Sequence, residues 1–149
     1  MKSSRFVLFG IVLVLMGCGG EKLPEIVEVS GTITMEGEPL DQVKVTFMPD
    51  GEKGNLDSRS SWGETDSNGK YTLKYQIPNQ DVSGASVGFH RVVLRDLIPN
   101  RSRGEQGDVE QEALRRFQVK YTSAPKTDLS AEVKSGEAQT FDFDVTPDG

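Results

Sequence analysis

One cysteine, one histidine and one tryptophan are all that 149 residues contain of those three types. With Cys18 alone, no intramolecular disulfide staples the fold. With His90 alone, a zinc site would have to be completed by scattered carboxylates, a poor ligand set for that ion. A Ser-His-Asp or Cys-His device would have to run through the same histidine. His90 opens an alternating apolar run, so it reads as a packed or partly exposed strand residue, and no catalytic group, metal or cofactor is expected. Positive charge is also short, 17 Lys and Arg against 23 Asp and Glu for a net −6. Such a body is not built to hold nucleic acid or to embrace anionic lipid electrostatically.

Long apolar runs are missing too, with one exception at the N-terminus. Lys2 and Arg5 precede an uninterrupted apolar stretch over residues 6–16, too short for a bilayer-spanning helix of about 20 residues. It closes on Leu15-Met16-Gly17-Cys18 and gives way at once to polar, Gly-containing sequence. This pattern resembles the signal peptide and lipobox of bacterial lipoproteins. The resemblance implies removal of residues 1–17 and a diacylglycerol group on Cys18, which would anchor an exported domain to a cell-envelope membrane on its periplasmic or surface face. Two or more acyl chains hold a protein on a membrane stably. Loss of Lys2 and Arg5 would leave 15 basic residues against 23 acidic ones, a net charge of −8.

The remaining 132 residues suffice for one domain and not two. Residues 18–26 read as a lipidated tether. Beyond the cysteine, its eight residues reach at most about 26 Å when extended.

From Val27 the period is two. Val27, Val29, Gly31, Ile33 and Met35 share one parity, the signature of a half-buried strand. Glu36-Gly37-Glu38-Pro39 is turn chemistry, and Val43, Val45 and Phe47 alternate with Lys44 and Thr46. Residues 50–60 read as a polar surface loop. Thr65 to Ile77 reads as a hairpin about Asp66-Ser67-Asn68-Gly69, with Tyr71, Leu73, Tyr75 and Ile77 on one face. Residues 79–88 read as a Gly-Ser loop, followed by a strand over 90–98 with Val92 and Leu94 inward and Arg91 and Arg95 outward. Leu129–Val133 and Phe141–Val145 complete an all-β, seven-stranded sandwich. One segment breaks the rule: Asp108 to Gln118 places Val109, Ala113, Leu114 and Phe117 on a helical stripe, with Asp108 and Gln111 as a capping box. It predicts one short inserted helix before the penultimate strand.

VSGTITMEGEPLDQVKVTFMPDG, ETDSNGKYTL, FHRVVL and KYTSAPKTDLSAEVKSGEAQTFDFDV together resemble carboxypeptidase regulatory-like domains, such as those carried by small lipoproteins of planctomycete-type bacteria. The resemblance covers most of residues 27–146 and implies a transthyretin-like (prealbumin-like) sandwich. It says little about activity, because such domains are mostly accessories. The hydroxyisourate hydrolases of the same fold need several histidines and a C-terminal Tyr-Arg-Gly-Ser tail, whereas this chain ends Thr146-Pro147-Asp148-Gly149. The isopeptide-forming Cna-B type needs a buried strand Lys and an Asn. Here Lys44, Asp142 and Asp144 all fall on outward parity.

Asp66, Asn68 and Gly69, with Glu64 and Asp57, suggest a calcium loop only if residues 50–60 fold back; a plain hairpin turn explains them better. Arg91, Arg95, Arg101, Arg103, Arg115 and Arg116 concentrate positive charge in one third of the chain. They form either a partner patch or a set of solvated side chains paired with Glu105, Glu110 and Glu112. Trp62 and Phe89 flank loops. With Arg91 and Arg95 they make up the candidate partner surface of a non-catalytic envelope module, in contact with an envelope protein or a glycan. A carbohydrate- or peptide-binding protein would show a concave patch around Trp62; a hydrolase would need clustered polar residues that the sequence does not display.

Overall fold

Alternating apolar positions become two β-sheets packed face to face. The computed structural model describes residues 23–56, 58–78, 80–98 and 116–148. The lipobox with Cys18, and most of the expected helix, lie outside the described residues. The larger sheet runs in the order β11-β10-β4-β5-β7-β8, from Ser130–Val133 (β11), Gly88–Asp96 (β10), Val43–Pro49 (β4), Ser61–Glu64 (β5), Lys74–Ile77 (β7) and Gln80–Ser83 (β8). The second sheet is centred on β2, Val29–Met35. Lys70–Thr72 (β6) and the short Glu38–Pro39 (β3) pair with β2 antiparallel, while Gln139–Thr140 (β12) and Phe143–Val145 (β13) pair with it parallel. Ile26–Val27 (β1) and Ala85–Ser86 (β9) form a separate two-stranded pair.

The core lies where the two inner faces meet. Val43, Val45 and Phe47 on β4 and Val92 and Leu94 on β10 are fully buried, opposite Val29 and Ile33 on β2. Phe47 joins the layers. Its ring lies 5.8 Å from Phe141, 6.4 Å from Phe143 and 6.4 Å from Tyr71, all tilted or edge-on, arrangements that favour aromatic pairs beyond their buried area. Burial pushes the Tyr71 phenol well above its ordinary pKa, with Asp142 adding to the rise. Its O–H donates to the Phe141 carbonyl at 2.6 Å.

At two glycines neighbouring backbone comes so close that no side chain fits, at Gly31 within the second sheet and at Gly63 between the two sheets. A Cβ on Gly31 would stand 1.8 Å from the Phe141 carbonyl oxygen, and one on Gly63 would stand 2.2 Å from that of Thr72. The second contact marks a change of sheet. The 65–77 segment is not one hairpin: after the turn, β6 joins β2 in the second sheet, and only beyond Leu73 does β7 return to pair with β5. The turn itself matches expectation, with Asp66 Oδ1 accepting from the Asn68 and Lys70 amides, the hydrogen bonding of an Asx-turn.

Other departures are local. Ser61–Glu64 is a strand, and the stretch read as a Gly-Ser loop carries β8, β9 and the start of β10. The strand read over 141–145 begins only at Phe143 (β13), and β12 at Gln139–Thr140 precedes it outside the expected bounds. The chain enters its first strand at Ile26, so the tether is shorter than residues 18–26 imply. Residues 99–115 lie outside the described set, and the described end of the expected helix is not helical. Arg116 sits in a bend, Phe117 bridges to Pro147, and a 3₁₀ turn follows at Val119–Thr122.

Strand direction defines two poles. At one, Val87 donates its amide to the Glu25 carbonyl, Gly88 touches Asn55, and Val133 pairs with Gly88. The entry of the chain, the 50–56 turn and the 134–137 turn therefore share this pole. At the other lie Asp41, Asp96–Ile98 and Arg116. There Arg116 binds Asp96 through Nε and Nη2 at 2.8 and 2.7 Å, and reaches Asp41 Oδ1 at 3.2 Å.

Candidate functional site

The outer face of the larger sheet carries the side chains that strand alternation turns away from Phe47 and Val92. Register sets them in rows. Ser83, Lys74, Trp62, Thr46 and Val93 stand side by side across five strands, and Glu64, Lys44 and Arg95 form the next row. Trp62 is half-buried, and Lys44 Nζ lies 4.2 Å from its ring centroid. A cation over an indole is worth about 0.5–1 kcal/mol at an exposed site. Arg95 is exposed at the end of the second row.

Beside Trp62 the sheet opens. Strand β5 pairs with β7 only through Ser61 and Trp62, because β6 has crossed to the other sheet. The gap is an open groove of about 630 Å³ lined by Trp62, Glu64, Asp66, Lys70, Thr72 and Lys74. It offers one aromatic edge, two carboxylates, two ammonium groups and a hydroxyl. Such a lining can stack on an apolar ring or ring face and exchange hydrogen bonds in both directions. Trp62 was legible as a candidate from the sequence; Asp66 and Lys70 were not legible as its neighbours, because only the sheet crossing brings them beside it.

Phe89 and Arg91 have a different setting. Both contact the 50–56 turn. Lys53 Nζ sits 5.0 Å over the Phe89 ring. Arg91 pairs with Asp50 at 3.3 Å and with Glu52, and donates to the Ala124 carbonyl. The turn is capped by Asp50, whose side chain accepts from the Glu52 amide, and Asn55 Nδ2 donates to the Phe89 carbonyl. Of the four residues expected at the partner surface, Trp62 and Arg95 share one outer-face neighbourhood, and Phe89 and Arg91 secure this turn. Arg116, expected in the cationic patch, is paired at the opposite pole.

His90 is packed under the same turn. It is buried on β10, with Phe47 5.8 Å away ring to ring. Nδ1 lies 3.0 Å from the Gly88 carbonyl, which only accepts, so Nδ1 carries the proton and Nε2 accepts from Ser86 Oγ at 3.2 Å or Asn55 Nδ2 at 3.4 Å. Burial lowers its pKa below the ordinary 6.5, partly offset by the Gly88 hydrogen bond. A serine hydroxyl on a histidine nitrogen has the geometry of an activated nucleophile. Here, however, Ser86 is fully buried, His90 nearly so, and the second nitrogen meets a backbone carbonyl and not a carboxylate. The pair is a structural hydrogen bond closed to substrate.

No three His, Cys, Asp or Glu side chains converge to hold a metal among the described residues. Asp142 accepts from the Thr32 amide, and Asp144 from the Thr34 hydroxyl and the Gly37 amide; both belong to the second sheet, away from Lys44 on the first. Among the described residues no helix is long and apolar enough to cross a membrane. Comparison with protein-family models, with curated proteins and with solved structures found no match.

Proposed function

We propose that this chain is an exported lipoprotein, anchored through lipid on Cys18, whose transthyretin-like sandwich of the carboxypeptidase regulatory-like type serves as a non-catalytic binding or structural module at the cell envelope. The groove beside Trp62 carries the binding part of this reading. It is the place where the sheet stays open and an aromatic ring stands next to hydrogen-bonding groups of both kinds. Closure of the Ser86–His90 pair supports a role by contact and not by chemistry. The lipid supplies location, and the flank of the larger sheet supplies recognition.

A more specific reading, a module with one defined glycan or peptide ligand, is favoured by the same groove. Its aromatic wall and mixed charges suit a polar ligand with an apolar face.

Crosslinking and pull-down from native membranes tests the module. Wild type, Cys18→Ala and Trp62→Ala would carry the same C-terminal tag. A partner captured by the wild type, reduced by Trp62→Ala and lost when the anchor is removed is the expected result. Capture that is indifferent to Trp62 would remove the groove from the account.

A further inference from the structure

We propose that the 50–56 turn is a second membrane contact: it seats Leu56 in the interface of the leaflet that holds the Cys18 lipid, so that the domain stands on one defined pole. The proposal rests on the lipid-anchor reading and goes beyond it, from attachment to orientation.

Chain length carries the first part of the argument. Leu23 follows Cys18 by five residues, so their Cα atoms lie at most about 18 Å apart. Glu25 is already fixed, its carbonyl accepting from Val87 and its carboxylate from the Ser135 hydroxyl at 2.6 Å. The pole where the chain enters therefore stays within reach of the bilayer.

Side-chain distribution carries the second part. Five large hydrophobic residues are exposed among the described residues, and three of them belong to this pole: Leu23 at 59%, Leu56 at 75% and Met48 at 38%. The other two, Ile98 and Val119, lie towards the opposite end, where the 99–115 segment leaves and rejoins. Leu56 is displayed on a rigid support. Asn55 beside it is buried, with its amide bonded to the Asp50 carbonyl and its side chain to Phe89, while Asp50 is held by Arg91. Little ordering is left to pay for when such a side chain meets an apolar surface.

Charge settles the kind of contact. Exposed Lys53, Arg59 and Lys134 at this pole are outnumbered by exposed Glu25, Glu52, Asp81, Glu132 and Glu137. The attraction is thus apolar and not a basic patch on anionic headgroups. One leucine is a weak membrane ligand alone, but the lipid makes its insertion intramolecular, at an effective concentration of order millimolar. The same orientation leaves the Trp62 groove on a side wall, open to the aqueous space.

The full-length lipidated protein, reconstituted in phosphatidylethanolamine–phosphatidylglycerol vesicles, tests this directly. Lipid occupies Cys18, so Leu56→Cys introduces one free thiol for an environment-sensitive fluorophore, and Ile98→Cys provides the same probe at the far pole. Fluorescence at position 56 is expected to be quenched by lipid-borne nitroxide and protected from aqueous iodide, in low and in high salt alike, with the reverse at position 98. Equal iodide access at both positions in protein that floats with the vesicles would overturn the second contact while leaving the anchor intact. Protein that fails to float would overturn the anchor and this inference together. Loss of protection in high salt would overturn the apolar contact.

Discussion

Replacing Arg116 with alanine should unfold the domain at a measurably lower temperature, by an amount the geometry sets. Its guanidinium bridges Asp96 on β10 and Asp41 before β4, donating to both Asp96 oxygens and to the Asp41 carbonyl at 2.8 Å. The Arg116 and Asp96 side chains are each about one fifth exposed, 22% and 21%. Fully exposed pairs contribute 0–1 kcal/mol, whereas removing one partner of a buried pair costs about 3–5 kcal/mol. A bidentate pair at intermediate burial should lose about 2 kcal/mol. For a domain of this size that corresponds to a Tm lowered by roughly 7 °C. The pH dependence follows from Asp96. Burial works to raise its pKa, but hydrogen bonds from Arg116 and the Ile98 amide outweigh it and hold the carboxyl below its ordinary 3.8. A folded-state pKa below the unfolded one gives stability that is present above the unfolded value and lost as pH falls through the folded value. The difference between wild type and Arg116→Ala should therefore be full at pH 7 and shrink below about pH 4. Thermal unfolding followed by circular dichroism at pH 7 and pH 3 measures both. A variant that melts with the wild type at pH 7, or whose deficit is as large at pH 3, would rule out a stabilising Arg116–Asp96 bridge.

His90 predicts a second pH effect of defined sign. Its folded pKa lies below 6.5, so the unfolded state takes up a proton first and wild-type stability should fall as pH drops below that value; His90→Gln should flatten this slope in denaturant titrations between pH 8 and pH 5. Gly31→Ala forces a methyl to within 1.8 Å of the Phe141 carbonyl oxygen, and should cost more than about 3 kcal/mol or prevent folding, read by urea unfolding. Trp62→Ala removes an outer-face ring held by Lys44 and should change stability by about 1 kcal/mol or less, while reducing partner capture; a large loss of stability would make Trp62 a structural residue.

Strand periodicity was legible wherever one face is buried and the other is wet. β2, β4 and β10 follow their alternation residue by residue, and Arg91 and Arg95 point outward as their parity requires. The sheet change at Leu73 leaves no mark in the sequence. Tyr71, Leu73 and Tyr75 are all buried, so the period of two runs unbroken through a strand that swaps partners. β5 was illegible because it is four residues long and carries Gly63, which reads as loop until Thr72 is seen packed on it. The same two facts hid the groove: Trp62 stood out by its chemistry, while Asp66 and Lys70 belong to a turn and a strand of the other sheet. The cationic third of the chain likewise separates only in three dimensions, with Arg91 holding the 50–56 turn and Arg116 joining two strand ends.

Intact-mass analysis of the mature protein from membranes, with fragmentation of its N-terminal peptide, tests the central claim of a lipid-anchored module. The mature chain is expected to start at Cys18, to carry diacylglycerol on the thiol, and to move to the soluble fraction when Cys18 is replaced by alanine. A mature chain that retains residues 1–17, or begins elsewhere with an unmodified cysteine, would contradict that claim.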